Sequence, residues 1–361
     1  MTDCIIIGGG IIGMLTARNL QIAGYKVTII EKGNTGRESS WAGGGIVSPL
    51  YPWRYADSIT RLATWGQAHY QSLTNELLEN TGIDPEYTPS GLLIIAADEE
   101  RQARDWANKS SRELQIVTPA QISRIEPAMQ PGDQSGIWLE NIAQVRNPRI
   151  AKALRADIDK RGIKVITDTE VTGFQISHGQ VDAVATSNGV FSAGQYAVCS
   201  GAWSGHLLDP LGIHVPVKPV QGQMILFRAE PGMISRMVLE ADRYIIPRRD
   251  GRVLFGSTVE HVNFNKHTTE EARQELQAIA IERFPVLQDK PIEHHWAGLR
   301  PGSPDGVPFI GQHPELENLY VNAGHFRNGV VLAPASCQLM SQIMLGQTTS
   351  FNPEDYALTP S

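Results

Sequence analysis

Residues 5–13 read IIIGGGIIG, and within them Gly8, Gly10 and Gly13 have GxGxxG spacing. That spacing suits a pyrophosphate. The first glycine permits a tight turn, the second lets backbone approach the phosphates, and the third lets a helix pack on a strand. A helix N-terminus directly after the turn offers free N–H groups and a partial positive charge. Glu31 stands 31 − 13 = 18 residues past the last glycine, near the ~20 at which a carboxylate bonds a ribose hydroxyl. An acid there favours an adenosine ribose without a 2′-phosphate. A second cluster, residues 37–45 (RESSWAGGG), sets Ser39 and Ser40 before Gly43, Gly44 and Gly45. Its amides could meet a second part of a long cofactor, or it is a flexible loop.

These residues require a strand, a turn and a helix in direct succession. Residues 4–7 are a short apolar run fit for a strand buried on both faces, and residues 11–23 carry apolar side chains at near-helical spacing. Residues 27–30 give a second strand ending at Glu31. Downstream, the pattern predicts helices over 57–80 and 99–113 with a strand over 91–97 between them. Asn147-Pro148 reads as an N-cap followed by a first-turn proline, opening a helix to about 161. A strand over 163–166, hairpins over 171–193 and a strand over 196–199 follow. Residues 215–259 read as a larger antiparallel sheet, then a helix over 268–284 opened by a capping box at 268–271. A strand over 319–322, a loop over 324–328 and a helix from Gly329 to about 342 complete the pattern. No repeat or linker divides the chain. The expected fold is mixed α/β (α+β), with a Rossmann-like cofactor domain from 1–85, 145–215 and 297–361 and an antiparallel-sheet substrate domain from 86–144 and 216–296.

Composition narrows the function. Of 361 residues, 41% are hydrophobic and 19% charged, with a net charge of −7. That balance argues against a general nucleic-acid or anionic-membrane surface, which needs clustered Lys and Arg. Cys4, Cys199 and Cys337 are odd in number and far apart, so they give neither a disulfide framework nor a CxxC site. No run reaches the ~18 apolar residues of a membrane span, and Asp3 with no basic region before the first apolar run argues against a signal peptide. A cytoplasmic protein is expected. His294 and His295 would point to opposite faces of a strand without further ligand spacing, so no metal site is assigned.

The segments IIIGGGIIGMLTA, SSWAGGG, VCSGAWS (198–204), GLRPGSPDGVPFIG and NAGHFRNGV occur in this order over nearly the whole chain. Together they resemble the FAD-dependent amine and amino-acid oxidases of the D-amino-acid oxidase and sarcosine oxidase type, above all the glycine-oxidising members of the bacterial thiamine pathway. The resemblance implies that Gly8, Gly10, Gly13 and Glu31, with Ile12 and Lys32, hold the ADP half of FAD. Ser39, Ser40 and Gly43 to Gly45 would meet the pyrophosphate and flavin side. Val171 would meet adenine, and Ser200, Gly201 and Trp203 would cover the cofactor. Gly298, Gly324, His325, Asn328, Gly329 and Val330 would surround the ribityl chain and ring, near Arg300 and Arg327.

For the substrate, the resemblance gives Arg300 the amino-acid carboxylate, Tyr244 a share of it through its hydroxyl, and Arg327 a second nearby position. Arg300 lies between Gly298-Leu299 and Pro301, so a turn is expected to hold its guanidinium, whose planar fork takes both carboxylate oxygens. A buried salt bridge, a packed core aromatic and a surface ion pair are the structural alternatives for Arg300, Tyr244 and Arg327. The implied chemistry delivers the Cα–H of a neutral amine as hydride to flavin N5, with orientation supplying much of the acceleration. Oxygen then takes the electrons as hydrogen peroxide, and the imine hydrolyses to an oxo acid and ammonia, glyoxylate for glycine. Small D-amino acids and sarcosine are further candidate substrates. No side-chain acid or base is assigned. The FAD is expected to be non-covalent, because the cysteine a covalent link would need after Pro301 is missing from residues 302–311. The resemblance favours a homotetramer. A dehydrogenase of the D-amino-acid or proline type, passing electrons to a quinone or protein, is the alternative, and a non-enzymatic flavoprotein or a catalytic half of a larger complex the third reading. Residues 49–65 read as a substrate lid or a membrane-facing patch.

Overall fold

All four residues of Cys4–Ile7 are buried, as a strand covered on both faces requires. In the computed structural model, which describes residues 2–358 except Pro131 and His214, this strand sits inside a six-stranded sheet. Residue 1 and residues 359–361, included in the expected domain bounds, lie outside the described residues. The sheet order is Phe309–Gln312, Leu319–Ala323, Gln195–Val198, Cys4–Ile7, Val27–Ile30, Lys164–Ile166. Pairing is parallel except at the edge strand Phe309–Gln312. Strands from the beginning, middle and end of the chain therefore share one layer. A buried cluster joins Ile6 and Ile29 of this sheet to Leu15, Leu62, Leu154 and Leu339 of the helices Ile11–Ile22, Asp57–Thr81, Asn147–Lys160 and Gly329–Met344.

A second sheet has eight strands in the order Ile292–Gly302, Lys218–Arg228, Arg252–Gly256, Arg243–Pro247, Met237–Glu240, Leu92–Ile95, Gly136–Leu139, Gln115–Val117. The helix Glu270–Arg283 packs Leu276 and Ala280 against Ile225, Phe227 and Phe255 of this sheet. The strands Val171–Ser177, Gln180–Thr186 and Gly189–Phe191 form the expected hairpins as a separate small sheet.

Four local expectations are corrected. Arg300 lies in the strand Ile292–Gly302, opposite Val220, and not in a turn. That strand is the edge of its sheet, where a proline such as Pro301 costs no ladder bond to a further neighbour. Residues 39–42 form a short helix in place of a loop. Asn147 does not cap its helix: Arg146 holds that position, and the Asn147 side chain donates to the Ser40 carbonyl at 2.9 Å. Thr269 caps its helix by accepting from the Ala272 N–H, but Ala272 at the third helical position cannot return the reciprocal bond of a capping box.

The last helix contains Pro334, which has no N–H for the Val330 carbonyl one turn earlier. The Tyr70 hydroxyl supplies the missing donor at 3.0 Å. Gly66 lets the helices Asp57–Thr81 and Gly329–Met344 approach closely, since a Cβ there would lie 2.1 Å from the Val331 oxygen. The N-terminal turns of the last helix are thereby fixed against the helix Asp57–Thr81.

Candidate active site

One pocket is lined continuously from the GxGxxG turn to Arg300, taking residues from both large sheets. At its first end Gly8 has φ +109, and a Cβ there would stand 2.5 Å from the Cys199 oxygen. No other residue fits that turn without displacing the strand end beside it. The Ile11 N–H at the start of the first helix donates to Ser40 Oγ at 2.9 Å. Glu31 is buried and lines the pocket, with Oε2 accepting from the Gly9 N–H at 2.6 Å and Oε1 from the Gly33 N–H at 3.0 Å. Two backbone donors thus fix the carboxylate and leave acceptor capacity for a hydroxyl. Beside it, Lys32 Nζ sits 3.0 Å above the Trp203 ring, and burial holds the Lys32 pKa below its ordinary value. Val171, Ser200, Gly201 and Trp203 complete this end.

Further along, Gly43, Gly44 and Gly45 bring bare backbone to the pocket. Gly45 has φ +82, and a Cβ there would lie 2.0 Å from the Val145 oxygen. Two buried side chains hold this segment from behind; the sequence marks Asn147 only as a helix cap and Arg248 not at all. Asn147 ties down Ser40, while its Oδ1 is buried and without a partner. Arg248 donates to Gly44 O at 2.8 Å, Val145 O at 3.1 Å and Gln144 Oε1 at 2.7 Å, and burial lowers its pKa to about 10.

Gly329 and Val330, the first residues of the last helix, also line the pocket, so its amides and partial positive charge are offered there. His325 Nε2 lies 2.7 Å from Ser336 Oγ, which donates to Asn322 Oδ1 at 2.6 Å. With the serine proton spent on Asn322, the ring nitrogen is the donor. Burial pushes the His325 pKa down to about 3, so the ring is a neutral Nε2–H tautomer at physiological pH.

At the far end stand Arg300, Tyr244 and Arg327. Arg300 NH1 donates to Gln221 O at 3.1 Å, and NH2 donates to Ser257 Oγ and Thr258 O. All three acceptors are uncharged, and among the described residues no carboxylate pairs with Arg300. Burial lowers its pKa, an effect that the neighbouring Tyr244 opposes and Arg327 reinforces. Tyr244 is 8% exposed, with its hydroxyl 3.7 Å from Met224 Sδ. Arg327 NH1 is ion-paired to Asp242 Oδ1 at 3.0 Å, the bland alternative for that residue, while still lining the pocket.

Four expected cofactor residues do not line the pocket but stand behind its wall. A Cβ at Gly13 would meet Gly8 O at 1.9 Å, the helix-packing role of the third glycine, and one at Gly298 would meet Ala42 Cβ at 2.4 Å. Gly324 has φ +85 beside Val217, Phe309 and Ser303. The Asn328 side chain is fully buried, with neither amide atom hydrogen-bonded. Asn322, Ser257 and Phe326, absent from the expectation, line the site. Asn322 and Phe326 fall within NAGHFRNGV, which gave them no role, and Ser257 lies in none of the quoted motifs.

The donor set fits FAD. It comprises a glycine turn on a helix N-terminus, a fixed carboxylate 18 residues on, a second glycine run with free backbone, and a further helix N-terminus at the opposite end. Among the described residues there is no His, Cys, Asp or Glu cluster able to hold a metal ion, and no helix long and apolar enough to cross a membrane.

Residues 3–343 match the DAO family, described as FAD dependent oxidoreductase. The glycine oxidase of Pseudomonas aeruginosa is 47% identical over 354 residues, covering 98% of this chain and 97% of that one. The bifunctional protein ThiO/ThiG of Trichormus variabilis is 32% identical over 351 residues, 96% of this chain and 53% of that one. The crystal structure of glycine oxidase from Geobacillus kaustophilus superposes with a TM-score of 0.94 at 28% identity, covering 99% and 98% of the two chains.

Proposed function

The chain belongs to the DAO family of FAD-dependent oxidoreductases, and we propose that it is an amino-acid oxidase whose substrate is glycine, with sarcosine and small D-amino acids as lesser ones. Glycine, oxygen and water become glyoxylate, ammonia and hydrogen peroxide. When bound, FAD accepts the hydride equivalent and passes two electrons to oxygen.

The observation that carries this reading is the state of Arg300. Arg300 is half-buried, and a guanidinium partly withdrawn from water with only neutral partners is costly unless a ligand supplies the anion. Three of its five N–H donors are taken by Gln221, Ser257 and Thr258. Two remain, on Nε and NH1, facing opposite edges of the guanidinium, so a carboxylate reaches one of them at a time and is held by the charge together with that bond. Tyr244 supports the same carboxylate. The chain's own residues bind and orient the substrate; no side chain is assigned as acid or base. Gly8, Gly10, Ile12, Glu31, Lys32 and the other lining residues hold the cofactor, with Gly13, Gly298, Gly324 and Asn328 supporting them.

The same reading extends to a discontinuous cofactor domain around the six-stranded sheet and a substrate domain around the eight-stranded one. It further includes a cytoplasmic homotetramer serving thiamine thiazole synthesis, a role the ThiO/ThiG relative supports. Anaerobic titration of the yellow protein with glycine, sarcosine, D-alanine, D-proline and L-amino acids tests the proposal. Glycine should bleach the flavin, and in air should yield one peroxide per glyoxylate. A flavin that no small amine bleaches, or substrate consumed without peroxide, refutes it.

A further inference from the structure

The second arginine of the substrate end is not free. Arg327 lines the pocket with Arg300, yet its NH1 is bound to Asp242 Oδ1 at 3.0 Å. Asp242 reaches that place through a strained turn. Glu240 pairs with Arg243 across the strands Met237–Glu240 and Arg243–Pro247, so Ala241 and Asp242 form a two-residue connection. Their φ values are 43 and 65. A turn left-handed at both centres favours Asn-Gly, and alanine fits it poorly. Such backbone persists only where the surroundings hold it, and here the Asp242 N–H donates to Tyr51 Oη at 3.4 Å.

The charges then sum simply. Arg300 and Arg327 give two positive charges and Asp242 removes one. Arg243 adds none, because it is paired with Glu275 at 3.0 Å. Glu260 keeps its charge, with only the neutral Thr258 and Gln223 as partners, but it does not line the pocket and is outside the sum. One net positive charge faces one carboxylate.

We propose that Asp242 is a specificity-determining residue: by neutralising Arg327 it limits the site to amino acids with a single carboxylate and turns away those carrying a second. The proposal rests on the amino-acid oxidase reading above. It predicts how selectivity follows charge. Removing the negative charge leaves Arg327 open to a second carboxylate. Removing Arg327 instead leaves Asp242 to repel it. Removing both restores the original sum.

The test uses the FAD-loaded enzyme and the ratio of kcat/KM for iminodiacetate to that for glycine, in the wild type, Asp242→Asn, Arg327→Gln and the double variant. Asp242→Asn should raise the ratio roughly tenfold, the scale of one charge removed several ångströms away in an effective dielectric near 20, damped by the exposure of Asp242. Arg327→Gln should lower it by a similar factor, and the double variant should return toward the wild-type ratio. A merely structural pair would not show that return. A ratio unmoved by Asp242→Asn, or a double variant as displaced as either single one, overturns the assignment. A wild type that oxidises D-alanine and not glycine refutes the glycine reading but leaves this test intact, with D-aspartate as the dicarboxylate.

Discussion

Replacing Arg300 by methionine keeps an unbranched, flexible stem and removes the guanidinium with its charge and donors. One guanidinium N–H at a time, on Nε or on NH1, is available to the substrate carboxylate, because Gln221, Ser257 and Thr258 take the other three. A hydrogen bond to a charged group contributes about 1.5–3 kcal/mol. At about 1.4 kcal/mol per factor of ten, kcat/KM for glycine should fall on the order of 10- to 10²-fold. Peroxide formation with glycine gives the rate, and flavin absorbance verifies that each variant still carries its cofactor. Methylamine, which is glycine without its carboxylate, separates binding from general damage. Its slow oxidation should change little in Arg300→Met, so the glycine-to-methylamine preference should collapse. A loss below tenfold in FAD-loaded protein would refute the reasoning, as would an equal loss for both amines.

Gly8→Ala should abolish FAD binding, since a Cβ at φ +109 meets the Cys199 oxygen, whereas Gly33→Ala, with nothing within 4 Å, should retain wild-type flavin absorbance; equal FAD content in the two would contradict the turn geometry. Tyr70→Phe leaves the Val330 carbonyl without a donor opposite Pro334 and should cost about 1–3 kcal/mol in urea unfolding; unchanged stability would mean that water replaces the hydroxyl. His325 is held neutral down to about pH 3 while the unfolded chain takes up a proton near pH 6.5. Its contribution to stability is therefore complete above pH 6.5 and is lost progressively as pH falls to about 3, at about 1.4 kcal/mol per pH unit. His325→Gln should flatten the acid side of the stability profile by that slope, and a parallel profile would argue against a buried neutral ring.

The two ends of the pocket differ in how far the sequence reveals them, and the difference is physical. Phosphate and ribose recognition uses backbone N–H groups and one carboxylate at a set interval, so Gly8, Gly10, Gly13 and Glu31 can be read along twenty-odd residues of chain. The structure adds only which glycine touches the pocket and which packs behind it. Substrate recognition uses a side-chain cation whose value depends on being taken out of water, and that is a property of the sheet. Arg300 was recognisable by its motif, but Pro301 beside it suggested a turn. Only the pairing with Val220 and the position at a sheet edge explain how a proline and a half-buried guanidinium coexist in one strand. Its acceptors come from residues 221, 257 and 258, and the partner of Arg327 lies 85 residues away at Asp242. None of these follows from local periodicity. The buried supports Asn147 and Arg248 escaped for the same reason: Asn147 next to proline satisfies the local signature of a helix cap, while its side chain is taken by Ser40. The cofactor class is thus written in short-range spacing. Selectivity for the substrate is written in long-range charge placement, and the pairing of Asp242 with Arg327 is where a change of one residue should alter it without altering the fold.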